Sequence, residues 1–120
     1  MQIYKGIEIL GGMDPDCNIY LIDGELLVDA GTGIYFGDIK KEIERLCDVT
    51  KITTLVNTHC HYDHIGGNKK FKDWLKLSIA VHTADKKAVE TGIGTLSELF
   101  GQTARVMTVD KTLRVGSIIN

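Results

Sequence analysis

The stretch NTHCHYDHIGG, residues 57–67, places three of the chain's four histidines and an aspartate between positions 59 and 64, directly before two glycines. Imidazole and carboxylate groups are the donors that borderline divalent ions accept. Zinc comes first, and iron, manganese or nickel also suit such a set. If the segment is a strand that opens into a loop, His59 and His61 fall on one side, because side chains alternate along extended backbone. Two imidazoles so placed can share one ion. Asp63 and His64 follow where the chain turns and can reach a second ion nearby, while Gly66 and Gly67 let the backbone turn tightly into the next element. A lone histidine says little, but an H-x-H-x-D-H order after an apolar strand and before a Gly-Gly junction is a specific metal-site signal.

Other candidate donors read differently. Cys60 stands at the odd position between His59 and His61, so its thiol aims to the opposite side, into the core, and a rearranged loop would be needed to recruit it as a replacement ligand. His82 lies on a separate predicted strand ahead of a helix, a context that favours a structural role. Cys17 and Cys47 read as small buried hydrophobes. With three widely spaced cysteines and no C-x-x-C pair, neither a disulfide framework nor a zinc knuckle is expected.

The elements that must position the motif come from periodicity. MQIYKGIEIL alternates Ile3, Ile7 and Ile9 with polar or small residues, predicting one strand. CNIYLIDGELLVDAG predicts a hairpin with a two-residue turn at Asp23-Gly24, ending at the glycines of AGTG. Ile39, Ile43 and Leu46 are at helical spacing in YFGDIKKEIERLCD, with Asp38 as the candidate N-cap. ITTLVNT is a short buried strand running into the histidines. NKKFKDWLKLS predicts a helix with Phe71, Trp74 and Leu75 on one side, SIAVH a strand, and TADKKAVETG a helix capped by Thr83 and stopped by Gly92. TGIGTLSELFG reads as a loop with one helical piece, and RVMTVDKTLRVGSIIN as strand, turn, strand. Interleaved strands and helices make an α/β layered architecture.

Composition bounds the function classes. The chain has 120 residues, enough for one domain with a hydrophobic core, and a formal net charge of −2. That balance gives no broad attraction to nucleic acid or an anionic membrane, and the lysines of NKKFKDWLK read as a solvated helix face. No apolar run approaches a membrane span and no signal-peptide core is visible, so a cytoplasmic protein is expected.

THCHYDHIGG resembles the metal-binding signature of the metallo-β-lactamase superfamily, the glyoxalase II-like hydrolases in particular. NIYLIDGELLVDAGTG resembles that family's early hairpin, which ends in an Asp-x-Gly turn; here Asp29 stands 30 residues before His59. The resemblance implies the N-terminal half of an αββα sandwich, a mixed sheet covered by helices on one face, with residues 1–120 as a single partial domain. It also implies metal-assisted hydrolysis of an ester, thioester, lactone or related bond in a small-molecule substrate, by hydroxide formed on one or two ions, zinc first and iron or manganese otherwise. On that mapping His59 and His61 hold the first ion, Asp63 and His64 the second, Asp63 also orients the nucleophile as the catalytic residue, and Asp29 is a structural neighbour on the site floor.

Departures from the family are equally specific. Its third histidine, bridging aspartate and final histidine come from a second half that this chain does not match, and TLRVGSIIN resembles the strand just upstream of that part. A half-sandwich exposes the inner face of its sheet, so a homodimer through that face is expected. Two readings stand beside the hydrolase: a non-catalytic half-domain that binds metal or self-associates, and an iron-dependent dioxygenase relative. The flavin-linked diiron branch is disfavoured, because that branch resembles this motif except for a glutamate where His61 stands.

Overall fold

The β-prone runs pair into one mixed sheet of seven strands, arranged in chain order, in the computed structural model, which describes residues 1–102 and 107–119. The strands are β1 (Gln2–Tyr4), β2 (Ile7–Gly11), β3 (Asn18–Ile22), β4 (Leu26–Val28), β5 (Thr54–Val56), β6 (Ser78–His82) and β7 (Lys111–Leu113). Pairing is antiparallel from β1 to β4 and parallel from β4 to β7. Parallel neighbours need crossovers. Helix α1 (Phe36–Leu46) links β4 to β5, α2 (Tyr62–Ile65) and α3 (Asn68–Leu75) link β5 to β6, and α4 (Lys86–Thr91) follows β6.

Register explains which face the helices cover. Leu21, Leu27, Leu55 and Ile79 are successive partners across β3 to β6, so their side chains form one row on one face. All four are buried, and they join Ile39 and Ile43 of α1 and Phe71 of α3 in a single core cluster. Phe36 adds edge-to-face contacts with Phe71 and Trp74, at ring separations of 5.0 and 5.9 Å. A neighbouring row on the other face, Ile9, Tyr20, Val28 and Val56, is equally in register yet only half-buried. The helices therefore cover one face, as expected, and the second face keeps apolar side chains in partial contact with solvent. No helix among the described residues is long and apolar enough to cross a membrane.

Several local expectations are corrected. MQIYKGIEIL is two strands rather than one, because Gly6 at φ 79° turns β1 back onto β2. The hairpin turn at Asp23-Gly24 does have positive φ at both residues, 52° and 66°, and is closed by Glu25 N–H to the Ile22 carbonyl at 3.0 Å, with strand pairing resuming at Leu26. Helix α1 begins at Phe36, so Asp38 lies in its first turn instead of capping it. The aromatic packing of Phe36 extends the helix past the acidic residue. Thr83 does not cap the next helix either: the His82 ring nitrogen Nδ1 accepts from Ala84 N–H at 3.0 Å and caps the 3-10 turn Thr83–Asp85 that precedes α4. Gly92 stops α4 in left-handed backbone at φ 80°. The loop before residue 101 holds one helical piece, the 3-10 turn Ser97–Phe100. At the end of the chain the first predicted strand starts at Arg105, outside the described residues. The second is the short β7, and 114–119 are in no strand.

Space, more than backbone angle, dictates Gly66 and leaves Gly37 unconstrained. A β-carbon on Gly66 would stand 2.5 Å from the Thr32 carbonyl oxygen and 2.7 Å from its α-carbon, whereas one on Gly37 in α1 would meet nothing within 4 Å. Gly66→Ala is expected to lower unfolding stability by about 1–3 kcal/mol through overpacking against backbone. Gly37→Ala should raise it by roughly 0.4–1 kcal/mol by removing unfolded-state freedom. Urea midpoints at unchanged m-value read both.

Candidate metal centre

Strand β5 leaves the sheet just before the histidines. Asn57 N–H makes a ladder-like bond to the Ala80 carbonyl at 3.0 Å, after which residues 58–61 bend and His61, at ψ 147°, precedes α2. The motif is therefore a bend plus one short helix rather than a continuous extended segment. His59 and His61 still share a side, with rings 6.2 Å apart and 22° from parallel, and His64 comes within 4.6 Å of His59, centroid to centroid. His64 Nε2 and Asp63 Oδ2 stand 3.6 Å apart. Contacts thus run from His61 to His59, from His59 to His64 and from His64 to Asp63, but among the described residues the four do not form a set of donor atoms within 4.8 Å of one another.

A ring of backbone and amide contacts holds that neighbourhood. Ala30 N–H donates to the His64 carbonyl at 2.8 Å and Gly67 N–H to Gly31 at 3.0 Å, sewing α2 and α3 to the turn after β4. Gly66 and Gly67 permit this approach, since a β-carbon on either would strike the backbone of Thr32 or Ala30. Asn57 and Asn68, both buried, exchange amide hydrogen bonds of 3.0 and 2.7 Å under the loop. From the far side, the Thr95 carbonyl accepts Tyr62 N–H at 2.7 Å, and the Tyr62 ring lies 5.8 Å from Phe100. Leu96, next in sequence, and Ile93 leave their side chains exposed in the same loop.

Electrostatics centre on Asp29. Its backbone sits in the left-handed region at φ 67°, which aspartate tolerates better than most residues. Only 4% exposed, its carboxylate accepts Thr58 N–H at 2.8 Å, the Thr58 hydroxyl at 2.6 Å and His64 Nδ1 at 2.9 Å. Thr58 thus spends its one hydroxyl proton on Asp29, leaving its oxygen to accept from His59 Nδ1 at 3.0 Å. This chain assigns both tautomers: His59 and His64 carry their protons on Nδ1 and keep Nε2 lone pairs free for a cation. Carboxylate–histidine pairs of this kind orient metal-bound imidazoles and raise their basicity. The donor chemistry therefore fits a divalent ion of the zinc type.

The remaining candidates sort by geometry. Cys60 is half-buried against the core with its thiol on Asp85, and burial followed by that carboxylate pushes its pKa up. It points away from the histidines. His82 serves as the cap described above. Cys47 sits at the end of α1, its thiol 3.7 Å from the Ile43 carbonyl. Cys17 differs from the reading as a plain core residue. It packs partly on the core, but Cys17, Asp29 and His64 each offer one donor atom and these lie within 4.8 Å of one another. Burial, then the charge of Asp29, drives the metal-free thiol's pKa up to about 12. Sequence spacing carries no signal for this: Cys17 precedes β3, and only the loop from β2 delivers it to α2.

The sequence model of the metallo-beta-lactamase superfamily matches residues 13–117. A "Probable metallo-hydrolase" of Methanocaldococcus jannaschii is 32% identical over 95 residues, covering 77% of this chain and 46% of the relative. Among solved structures, a subclass B3 metallo-beta-lactamase of Bradyrhizobium japonicum superposes with a TM-score of 0.83 at 24% identity, over 100% of this chain and 47% of that one. A metallo-beta-lactamase of Elizabethkingia meningoseptica reaches 0.68 at 33% identity, over 82% of this chain and 39% of that one. The chain spans less than half the length of these relatives.

Because Asp29 gathers three donors in a buried position, Asp29→Ala should cost about 1–3 kcal/mol of stability, and Thr58→Val about 1 kcal/mol. Chemical denaturation at constant pH measures both. Equal stability of the Asp29 variant and wild type would show that the network carries no weight.

Proposed function

The chain belongs to the metallo-beta-lactamase superfamily, and from that premise we propose that it carries the motif half of a metal-dependent hydrolase acting on a small molecule with an ester, thioester, lactone or related bond. One observation supports the reading: Thr58 and Asp29 engage His59 and His64 through Nδ1, and His64 Nε2 stands 3.6 Å from Asp63 Oδ2. His59 and His61 would hold one ion and Asp63 and His64 a second, with zinc the metal this donor set suits first and iron or manganese behind it. When bound, such ions supply Lewis acidity and a water acidified toward neutral pH. The chain's own residues then have distinct tasks. Asp29 keeps the imidazoles in one tautomer throughout. Asp63, which is partly exposed, is placed to accept a hydrogen bond from the nucleophile and aim it at the electrophile.

Two donors per ion is a sparse set, since catalytic zinc usually has three protein ligands. That favours a second reading, in which the half-domain binds metal without turnover until further ligands join it. The half-buried row Ile9, Tyr20, Val28 and Val56 is where we place self-association, a second copy covering the face by two-fold pairing.

Elemental analysis and a panel of thioesters, lactones and phosphodiesters, each with and without added zinc, test the proposal. Zinc-dependent turnover should fall by more than about 100-fold in His59→Ala and on chelation. Bound metal with no turnover supports the second reading, iron as the native metal would move the assignment toward oxygenase chemistry, and absence of bound metal overturns the metal-centre assignment. Light scattering across a dilution series reads self-association, and a stable monomer in every dilution ends that part.

A further inference from the structure

The lysines of α3 do not share one environment. Lys69 pairs with Asp73 at 3.0 Å, and Lys72 pairs with Asp110. Lys70 instead donates from Nζ to the Gly33 carbonyl at 2.9 Å. On α1, Lys40 places its Nζ over the Trp74 ring, 5.5 Å from the centroid. Both side chains are half-buried, and among the described residues neither ammonium pairs with a carboxylate. Lys40 and Lys70 line one open groove of about 550 Å³ between α1 and α3, with Ile34, Phe36 and Trp74 as its apolar wall. Asp73, which also lines it, is already held by Lys69. Cations drawn partly out of water without a counter-charge favour an anion. Each ammonium carries three donors, of which Lys70 spends one and Lys40 none on hydrogen bonds. A cation resting over a ring is held less strongly than one hydrogen-bonded to an anion, so Lys40 is available to a ligand.

We propose that this groove is a second ligand site, separate from the histidine motif, for a small aromatic anion whose charged group sits on Lys40 and Lys70 and whose ring lies on Ile34, Phe36 and Trp74. The wall suits a ring. Phe36 and Trp74 meet edge to face at 5.9 Å, an arrangement that a further aromatic group extends, and Ile34 leaves 53% of its surface exposed beside them. The groove's volume lies within the range of small-molecule sites. Only two cations meet there, which matches a single acidic group and not a polyanion, since nucleic acid needs a longer basic track. No histidine of the motif lines the groove, so the site stands apart from the metal reading.

Trp74 is the chain's only tryptophan, so its emission, excited beyond tyrosine absorption, reports on this groove. Three probes separate the contributions: phenylphosphonate carries ring and charge and has no ester to hydrolyse, inorganic phosphate carries charge alone, and benzyl alcohol the ring alone. Phenylphosphonate should change the emission saturably, at a half-saturating concentration about tenfold or more below either of the others. The Trp74 indole N–H signal in NMR spectra should move in parallel and detects a ligand that leaves emission unaltered. Lys40→Met and Lys70→Met keep the apolar stems and remove the charge, and each should weaken phenylphosphonate about tenfold. Lys41→Met, on α1 outside the groove, should change nothing. Should Lys70→Met fail to fold by circular dichroism, Lys40→Met decides alone, because Lys40 holds no structural hydrogen bond. Absence of saturable binding, equal binding of inorganic phosphate, or undiminished binding in Lys40→Met overturns the site. Metal content and the His59→Ala result bear on the motif only, so either assignment can fail without the other.

Discussion

A carboxylate buried in a protein must be compensated, and Asp29 is the group around which this site is compensated. Its oxygens take the backbone and side chain of Thr58 and the ring of His64, so the end of the hairpin and the start of the histidine segment cannot separate without stranding a charge. Removing an acceptor from such a network costs more than the net value of each bond, because every donor loses its partner in low dielectric. Order in the histidines is thus a by-product of satisfying one aspartate. In the neutral imidazoles the same network places the proton of His59 and His64 on Nδ1, which connects a folding requirement to the orientation of both rings.

Around that charge the fold supplies close approach. Ala30, Gly31 and Thr32 run against Gly66 and Gly67 with no room for a β-carbon, and hydrogen bonds cross the junction in both directions. A four-residue helix such as α2 has little stability of its own. Its ends are held instead by the Thr95 carbonyl on one side and the Ala30 amide on the other. The metal motif is rigid because its neighbours are, and those neighbours lie 29 to 37 residues away in sequence.

The two faces of the sheet are covered unequally. Leu21, Leu27, Leu55 and Ile79 bury one face fully under α1 and α3, while the opposite row remains half in solvent. Superposition on solved metallo-beta-lactamases covers under half of each of those chains. An apolar sheet face without a full cover is costly to leave in water.

Periodicity was a good guide wherever one face is buried. The alternation in NIYLI, the 3.6-residue spacing of Ile39 and Ile43 in α1, and the β-branched run before the histidines all formed the elements they imply, because burial of a single face enforces the period. Local signals misled where tertiary packing outvoted them. Aromatic contacts of Phe36 carried α1 past Asp38, Gly6 folded one apparent strand into two, and His82 took the capping place assigned to Thr83. From the sequence alone came the family resemblance, the α/β class and the cluster of His59, His61, Asp63 and His64, since donor type and spacing are written in consecutive residues. Only the tertiary structure decided that Asp29 sets the tautomers, that Cys60 turns to Asp85, and that Cys17 stands beside His64. Those facts depend on contacts between segments brought together by the sheet, and no spacing along the chain encodes them.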